Sequence, residues 1–353
     1  MSGAVGWGGR DRRRASDFPK STPSRTPDPI PPTKFGGAQK AYQSGPKSTP
    51  TPQPSRRPPD SIPAGPGTNL GGSVQSVDLD PKNKYKTNAK KVAIVAMDGT
   101  GSMGEWRKEI WARNKLLLDQ LKKLMGDDVE IVFISFGDLK KGDRIEVAPP
   151  SGDGPTLDAH LVQLNMSWRG GGDEEESPEL VALWVLNNLD VSSATDVYFW
   201  TITDEKAAPR INYSLASRHL GIADGECVTT QDVYNALRIR MNTYIVLKPC
   251  GGDSYYDGPG IRRHWVDMVG EENLLDLDDG RRVVDTMTRV VAITTGQTTV
   301  FDQDFKDRNS NSPHAAQNFN TVVNATRTVM GTTPDMSDSI PDASVVISCD
   351  DDD

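Results

Sequence analysis

The chain is poor in the side chains that most often build metal cages and covalent frameworks. Three cysteines, Cys227, Cys250 and Cys349, occur in 353 residues. They are few, widely separated and odd in number, which argues against a disulfide framework and against a thiolate zinc site. The four histidines, His160, His219, His264 and His314, show no ligand spacing. No stretch approaches the roughly 20 consecutive apolar residues that a membrane span needs. Residues 1–20 carry Arg10, Arg12, Arg13 and Arg14 without an apolar core. No secretory signal is expected from that pattern, and the reading is a cytoplasmic protein. Hydrophobic residues make up only 35% of the chain, so part of it is expected to remain unfolded.

The net charge of −9 conceals two unlike regions. Residues 1–91 hold 16 basic and 6 acidic side chains, against 24 and 43 in the remainder. The acidic part makes nucleic acid an unsuitable ligand for a folded domain, while the two parts are suited to different partners. Residues 1–88 hold most of the prolines, with Gly, Ser and Thr between them and only isolated aromatics such as Phe18, Phe35 and Tyr42. Such a segment buries too little apolar surface to offset the entropy of ordering, and it is expected to be disordered, partly polyproline II. Pro29 to Pro32 fits a PxxP ligand, and Arg12-Arg13-Arg14-Ala15-Ser16 and the Thr-Pro pairs at Thr22, Thr26, Thr49 and Thr51 fit phosphorylation sites. A solvated tether accounts for the same composition.

The composition changes at Lys90. Apolar runs at Lys91–Met97, Glu130–Phe136, Asp196–Thr203 and Thr243–Leu247 suit strands buried on both faces. Between them lie helical patterns: Glu105–Leu124, a Ser177-Pro178-Glu179 start running to Asn188, Thr230–Met241, Ile261–Val269 and Arg281–Thr294. Residues 138–167 and 205–228 read as irregular excursions, the first with an edge strand near Arg144–Val147, and Asn273–Leu277 as a short strand. Alternation of buried strands and helices predicts an α/β fold, a doubly wound, mostly parallel sheet with helices on both faces, over residues 89–297. Residues 298–353 are expected to be a weakly structured extension ending in an acidic tail. Within it, Ser312-Pro313 marks a helix start, with Phe319, Val322, Val323 and Val329 as its stripe.

The chemistry begins at Asp98-Gly99-Thr100-Gly101-Ser102-Met103-Gly104, between a buried strand and a helix, where open parallel sheets bind ligands. Three readings compete. Gly99, Gly101 and Gly104 spell the GxGxxG of a dinucleotide site. Against it, Asp98 would set a carboxylate beside the pyrophosphate, and the ribose-binding acid is out of place. Asp98-Gly99-Thr100 also resembles part of the DxDGT motif of haloacid-dehalogenase-like phosphatases, but Ala96 stands where the nucleophile is required. In the third reading, Asp98, Thr100 and Ser102 alternate so that their oxygens converge on a hard cation, Mg²⁺ or Mn²⁺. A capping box of Ser102 with Glu105 would explain the serine alone, and neither Asp98 nor Thr100.

Asp98-x-Thr100-x-Ser102 is similar to the DxSxS motif of von Willebrand factor type A domains, with Thr in place of the middle Ser. In that family the motif, a second-loop residue and a later Asp form a metal-ion-dependent adhesion site. The resemblance implies a second loop at Gly170-Gly171-Gly172-Asp173, with Asp173 at the family's Thr position. It also implies a later Asp at Asp204, in Thr201-Ile202-Thr203-Asp204. It covers about residues 90–297. It implies a Rossmann-like fold and a cation-dependent protein-binding module of adhesion or scaffold type, in which a partner's Asp or Glu completes the coordination. No catalytic residue is implied. Trp106, Trp168 and Arg169 are candidate contacts to that partner, with core packing the competing role for Trp106. Two other readings remain: a metal-assisted hydrolase, and a regulatory or assembly subunit that also uses its N-terminal arm. No membrane partner is expected.

The shift at Lys90 makes a prediction. Limited proteolysis of the full chain should remove residues 1 to about 88 first and leave a core beginning between Lys82 and Lys91. Survival of the bonds after Arg25, Arg56 and Arg57 at a dose that trims other loops would contradict it.

Overall fold

A computed structural model describes residues 76–170, 175–223, 228–249 and 257–329. The three cysteines, Asp173, the proline-rich segment to residue 75 with its PxxP and Thr-Pro sites, and the acidic tail lie outside the described residues.

The first element among the described residues is β1 (Tyr85–Lys86), and the chain enters the sheet at β2 (Lys91–Asp98), buried from Val92 onward. A 3-10 turn over Gly101–Met103 leads into α1 (Trp106–Ala112) and α2 (Asn114–Met125). The apolar spacing predicted one helix here. It breaks at Arg113, which leaves helical geometry (φ −110°, ψ 7°). Each half then packs on its own neighbours, α1 on the turn Gly280–Arg282 and α2 on helices described below. β3 (Val129–Phe136) and β4 (Ile145–Val147) follow, then α3 (Gly154–Gln163) inside the stretch expected to be irregular. Gly154-Pro155 reads as a breaker, yet it is a helix start. The Asp153 carboxylate accepts from Thr156 N at 2.9 Å, and proline needs no donor in the first turn.

β5 (Glu175–Glu176), α4 (Pro178–Asn188), β6 (Leu189–Asp190), β7 (Asp196–Thr203) and β8 (Lys206–Ala207) come next. α5 (Tyr213–Leu220) was unforeseen. It is capped by the Asn212 side chain on Leu215 N and stopped by Gly221 at φ +67°. The chain finishes the sheet with α6 (Thr230–Arg240), β9 (Asn242–Leu247), α7 (Gly258–Val269) and β10 (Leu274–Asp276). Three helices follow: α8 (Val283–Thr294), α9 (Thr298–Arg308) and α10 (Ala315–Ala325).

The six-stranded sheet runs β10-β9-β7-β2-β3-β4, with every pair parallel except β3 with β4. This is the doubly wound α/β class expected. Along β2, Ala93, Val95 and Met97 face one apolar layer with α1, α2, α3 and α8, whereas Val92, Ile94 and Ala96 face the other with α4, α6 and α7. The order reverses between β2 and β7, so the loops leaving these strands diverge and open a crevice at their C-terminal ends.

The fold extends beyond residues 89–297 at both ends, which moves the expected start of the protease-resistant core from Lys82–Lys91 to ahead of Leu79. Ahead of Lys90, β1 pairs in parallel with β6, and the Pro81 carbonyl accepts from the Trp184 indole N–H at 2.6 Å. The Leu79 carbonyl accepts from Val147 N of the edge strand β4 at 3.1 Å. Past residue 297, α9 and α10 bury Phe301, Phe305, Val322 and Ala325 in the same core as α8. Weak structure was expected there, but α9 buries two aromatic side chains, Phe301 and Phe305. They lie one turn apart, on the face that α8 covers. Phe301→Ala should therefore cost about 3–5 kcal/mol in chemical denaturation, as for other fully buried aromatics. A loss under about 0.5 kcal/mol would make α9 peripheral to the core.

Candidate metal centre

The crevice between β2 and β7 gathers the sequence-derived candidates except Asp173, which lies outside the described residues. Asp98 ends β2 fully buried, with its Oδ1 accepting from Thr100 N at 2.7 Å. Its Oδ2 is buried and has no hydrogen-bond partner among the described residues. From Thr100 a line of oxygens crosses the crevice: Thr100 Oγ1 lies 2.9 Å from Ser102 Oγ, and the Ser102 hydroxyl donates to Asp204 Oδ1 at 2.9 Å. Asp204 follows the end of β7 and is itself buried. Ser102 does not cap α1. The N-cap is Glu105, and the serine hydroxyl is committed across the crevice.

The loop is held from three sides. Met103 is fully buried beneath it. The Arg107 guanidinium donates to the carbonyls of Gly99 (2.7 Å) and Gly104 (3.2 Å), and to that of Met166. Trp168 lies over Gly99, its backbone N–H bonded to Gly99 O at 3.0 Å and its indole N–H to Ser135 Oγ at 2.9 Å. A Cβ on residue 99 would fall 2.6 Å from the Trp168 ring, so only glycine fits under the indole. Trp168 thus positions the loop from a half-buried site, Trp106 belongs to the core, and Arg169 is exposed.

Two residues at the crevice were missed by sequence reasoning. Lys248, just past β9, donates to the Ser102 carbonyl at 2.6 Å and to Asp204 Oδ2 at 2.8 Å. Glu176, in β5, is 1% exposed, with Oε2 lacking a partner among the described residues. A Cβ on Gly170 would meet Thr100 Cβ at 3.3 Å and Glu176 Oε1 at 3.4 Å, so this carboxyl stands beside Thr100. β5 pairs with β8, directly after Asp204, and that pairing carries Glu176 inward. Its only sequence signal is its place beside the second loop, inside an acidic run that reads as surface.

These carboxyls titrate abnormally. Burial first, and then repulsion from Asp204, pushes Asp98 up to about 7. Burial and the neighbouring Asp98, Glu205, Asp138 and Asp143 push Glu176 up to about 10. Burial pushes Glu179, at the start of α4, up to about 8.

The residues fit a hard divalent cation. Metal–oxygen distances of about 2.0–2.1 Å place neighbouring ligands of an octahedral ion about 2.9 Å apart, which is the spacing of the two oxygen pairs above. The hydroxyl protons need only turn outward. The bare Asp98 Oδ2 is the kind of buried orphan that an ion relieves. Among the described residues no three His, Cys, Asp or Glu side chains form a metal cage. A site sharing its donors between two carboxylates and two hydroxyls does not need one. Asp98, Thr100, Ser102 and Asp204 would hold the ion.

No protein-family model matches the sequence, and no curated protein does. Solved structures similar to it include the pilus adhesin SpaC from Lactobacillus rhamnosus GG in its open conformation, at 15% identity and TM-score 0.40, over 60% of this chain and 31% of SpaC. Proximal thread matrix protein 1 of the mussel byssus, with a zinc-occupied MIDAS motif, aligns at 11% identity and TM-score 0.40 over 62% of this chain and 47% of that one. The vWF domain of the type V pili tip protein Mfa5 from Porphyromonas gingivalis aligns at 10% identity and TM-score 0.40 over 59% and 96%. The chain thus spans about a third of SpaC and about half of the byssus protein. Neither the fold nor the site described above rests on these likenesses.

The buried acids make stability depend on pH. Asp98 keeps its proton in the folded chain up to about pH 7, but loses it near pH 4 when unfolded. Its contribution is full below about pH 4 and is lost as pH rises through about 7. With chelator present, the urea midpoint should fall over that window, and Asp98→Asn should flatten the fall. Glu179 and Glu176 prolong it above pH 7 in both proteins. An equal slope in wild type and Asp98→Asn between pH 4 and 7 would refute this.

Proposed function

We propose that this chain is a divalent-cation-dependent protein-binding module of adhesion or scaffold type. Asp98, Thr100, Ser102 and Asp204 hold Mg²⁺ or Mn²⁺, Asp173 is a further donor from the second loop, and a partner's Asp or Glu supplies the missing ligand. The observation that carries this reading is the line of oxygens from Thr100 through Ser102 to Asp204, at the spacing an octahedral ion needs. The ion would supply Lewis-acid coordination to one oxygen of the partner. The protein residues orient it: Asp98 and Thr100 form the buried floor, while Ser102 marks the exposed side from which a ligand arrives. The N-terminal end of the turn and helix after the loop adds positive potential there, which favours an anionic partner atom.

The full chain should gain thermal stability on adding Mg²⁺ or Mn²⁺, by the mass-action effect of a ligand that binds only the folded state. Asp98→Ala should abolish the gain while circular dichroism shows an intact fold. Capture of an acidic partner from lysate should be lost with chelator or with Ser102→Ala. Metal stabilisation that persists in Asp98→Ala would move the ion elsewhere, and capture that ignores chelator would end the metal-bridged reading.

A further inference from the structure

The crevice contains a positive group that the metal reading leaves without a role. We propose that Lys248 is the second half of a carboxylate clamp. Its ammonium binds the ligand carboxylate oxygen that the cation does not take, and so selects carboxylates over neutral oxygen donors. This rests on the cation site proposed above and extends it to the ligand.

Three observations converge. Lys248 is fixed: its backbone N–H bonds Thr203 O at 3.0 Å, one residue before Asp204, which ties the root of the side chain to the end of β7. Its ammonium then spans the two loops of the site, to Ser102 O and Asp204 Oδ2. An ammonium has three N–H donors, and those two bonds are its partners among the described residues, which leaves one for a ligand. Finally, among the described residues the site opens at Ser102. Asp98 and Thr100 are buried, whereas Ser102 is exposed and the Lys248 side chain is 21% exposed. A ligand arriving past Ser102 therefore meets the ammonium at the rim.

The two oxygens of Asp204 show how the clamp divides its work. Oδ1 belongs to the line of oxygens suited to the cation, and Oδ2 belongs to Lys248. A ligand carboxylate presents the same two-oxygen face, so one group can satisfy both positive charges. An amide or alcohol oxygen satisfies one and leaves the ammonium without an anionic partner. Charge-assisted hydrogen bonds of this kind are about twice as strong as neutral ones.

Mn²⁺ and acetate separate the parts in the full chain, with acetamide as the neutral control. Water-proton relaxation reports Mn²⁺ bound to protein and the coordinated water that a ligand displaces. Wild type should bind Mn²⁺ and lose coordinated water to acetate but not to acetamide. Lys248→Met should still bind Mn²⁺, as tightly or more so, because a like charge has been removed. Its half-saturation with acetate should rise about tenfold, the loss of one hydrogen bond to a charged group. Lys248→Arg should recover part of the preference. Unchanged acetate binding in Lys248→Met would overturn the proposal. So would lost Mn²⁺ binding in a folded Lys248→Met, since the lysine would then only hold Asp204. Failure of wild type itself to bind Mn²⁺ would end the metal reading and this proposal with it, a result distinct from either.

Discussion

Burial of carboxyl groups at the C-terminal ends of adjacent parallel strands is the constraint around which the rest of this molecule is arranged. Asp98 and Asp204 sit where β2 and β7 end, at the point where strand order reverses, and Glu176 is drawn in beside them by the β5–β8 pair. Water cannot solvate these groups, and their mutual repulsion is not offset by packing. The chain responds with the means it has. Protons stay on Glu176 and Asp98 to unusually high pH, Lys248 lies against Asp204, and Arg107 holds the backbone carbonyls of the loop. Each of these stabilises an arrangement that would be simpler to build without buried acids. Their presence together at one end of the sheet is the physical reason to look for a cation.

Much of this frame is legible in the sequence because the central strands are buried on both faces. Lys91–Met97, Glu130–Phe136 and Asp196–Thr203 stand out as continuous apolar runs, and the structure places strands there to within a residue. The position of the first loop is legible for the same reason, since it follows the end of a buried strand, whereas its three competing uses are not separated by sequence. Local signals fail where tertiary contact decides. Gly154-Pro155 ends a segment or begins one depending on Asp153. Ser102 and Glu105 have the spacing of a capping box, but the serine is drawn toward Asp204 by a strand 102 residues away. Lys248 has no local signature at all. It reaches Asp204 only because β9 lies next to β7, and adjacency of strands is a property of the whole sheet.

The second loop shows the same division. Its acidic run suits either a solvated surface or a ligand set, and composition does not choose between them. Pairing places one of its members, because Glu175 and Glu176 register with Lys206 and Ala207, alternate residues then face opposite ways, and Glu176 is the buried one. Ser177 stands at the N-cap of α4 as read, but its hydroxyl accepts from Leu139 N at 3.1 Å rather than from the first turn, and so ties the start of α4 to the segment after β3. Asp143 accepts from Gly170 N at 2.9 Å and adds a second tie from the same segment. The rim of the crevice is therefore built from chain that leaves three different strands, and the side chains joining it are polar ones that a periodicity analysis assigns to solvent.

The hydrogen bond from Val147 to the Leu79 carbonyl has a consequence for how copies of this molecule meet. An edge strand with unpaired backbone groups is a template onto which another chain can add a strand. Here β4 is short, antiparallel to its neighbour, and already engaged by residues that precede the sheet in sequence. The leading segment thus acts as a selvedge on the β4 margin of the sheet. Strand addition at this margin would have to displace the Leu79 contact before it could begin.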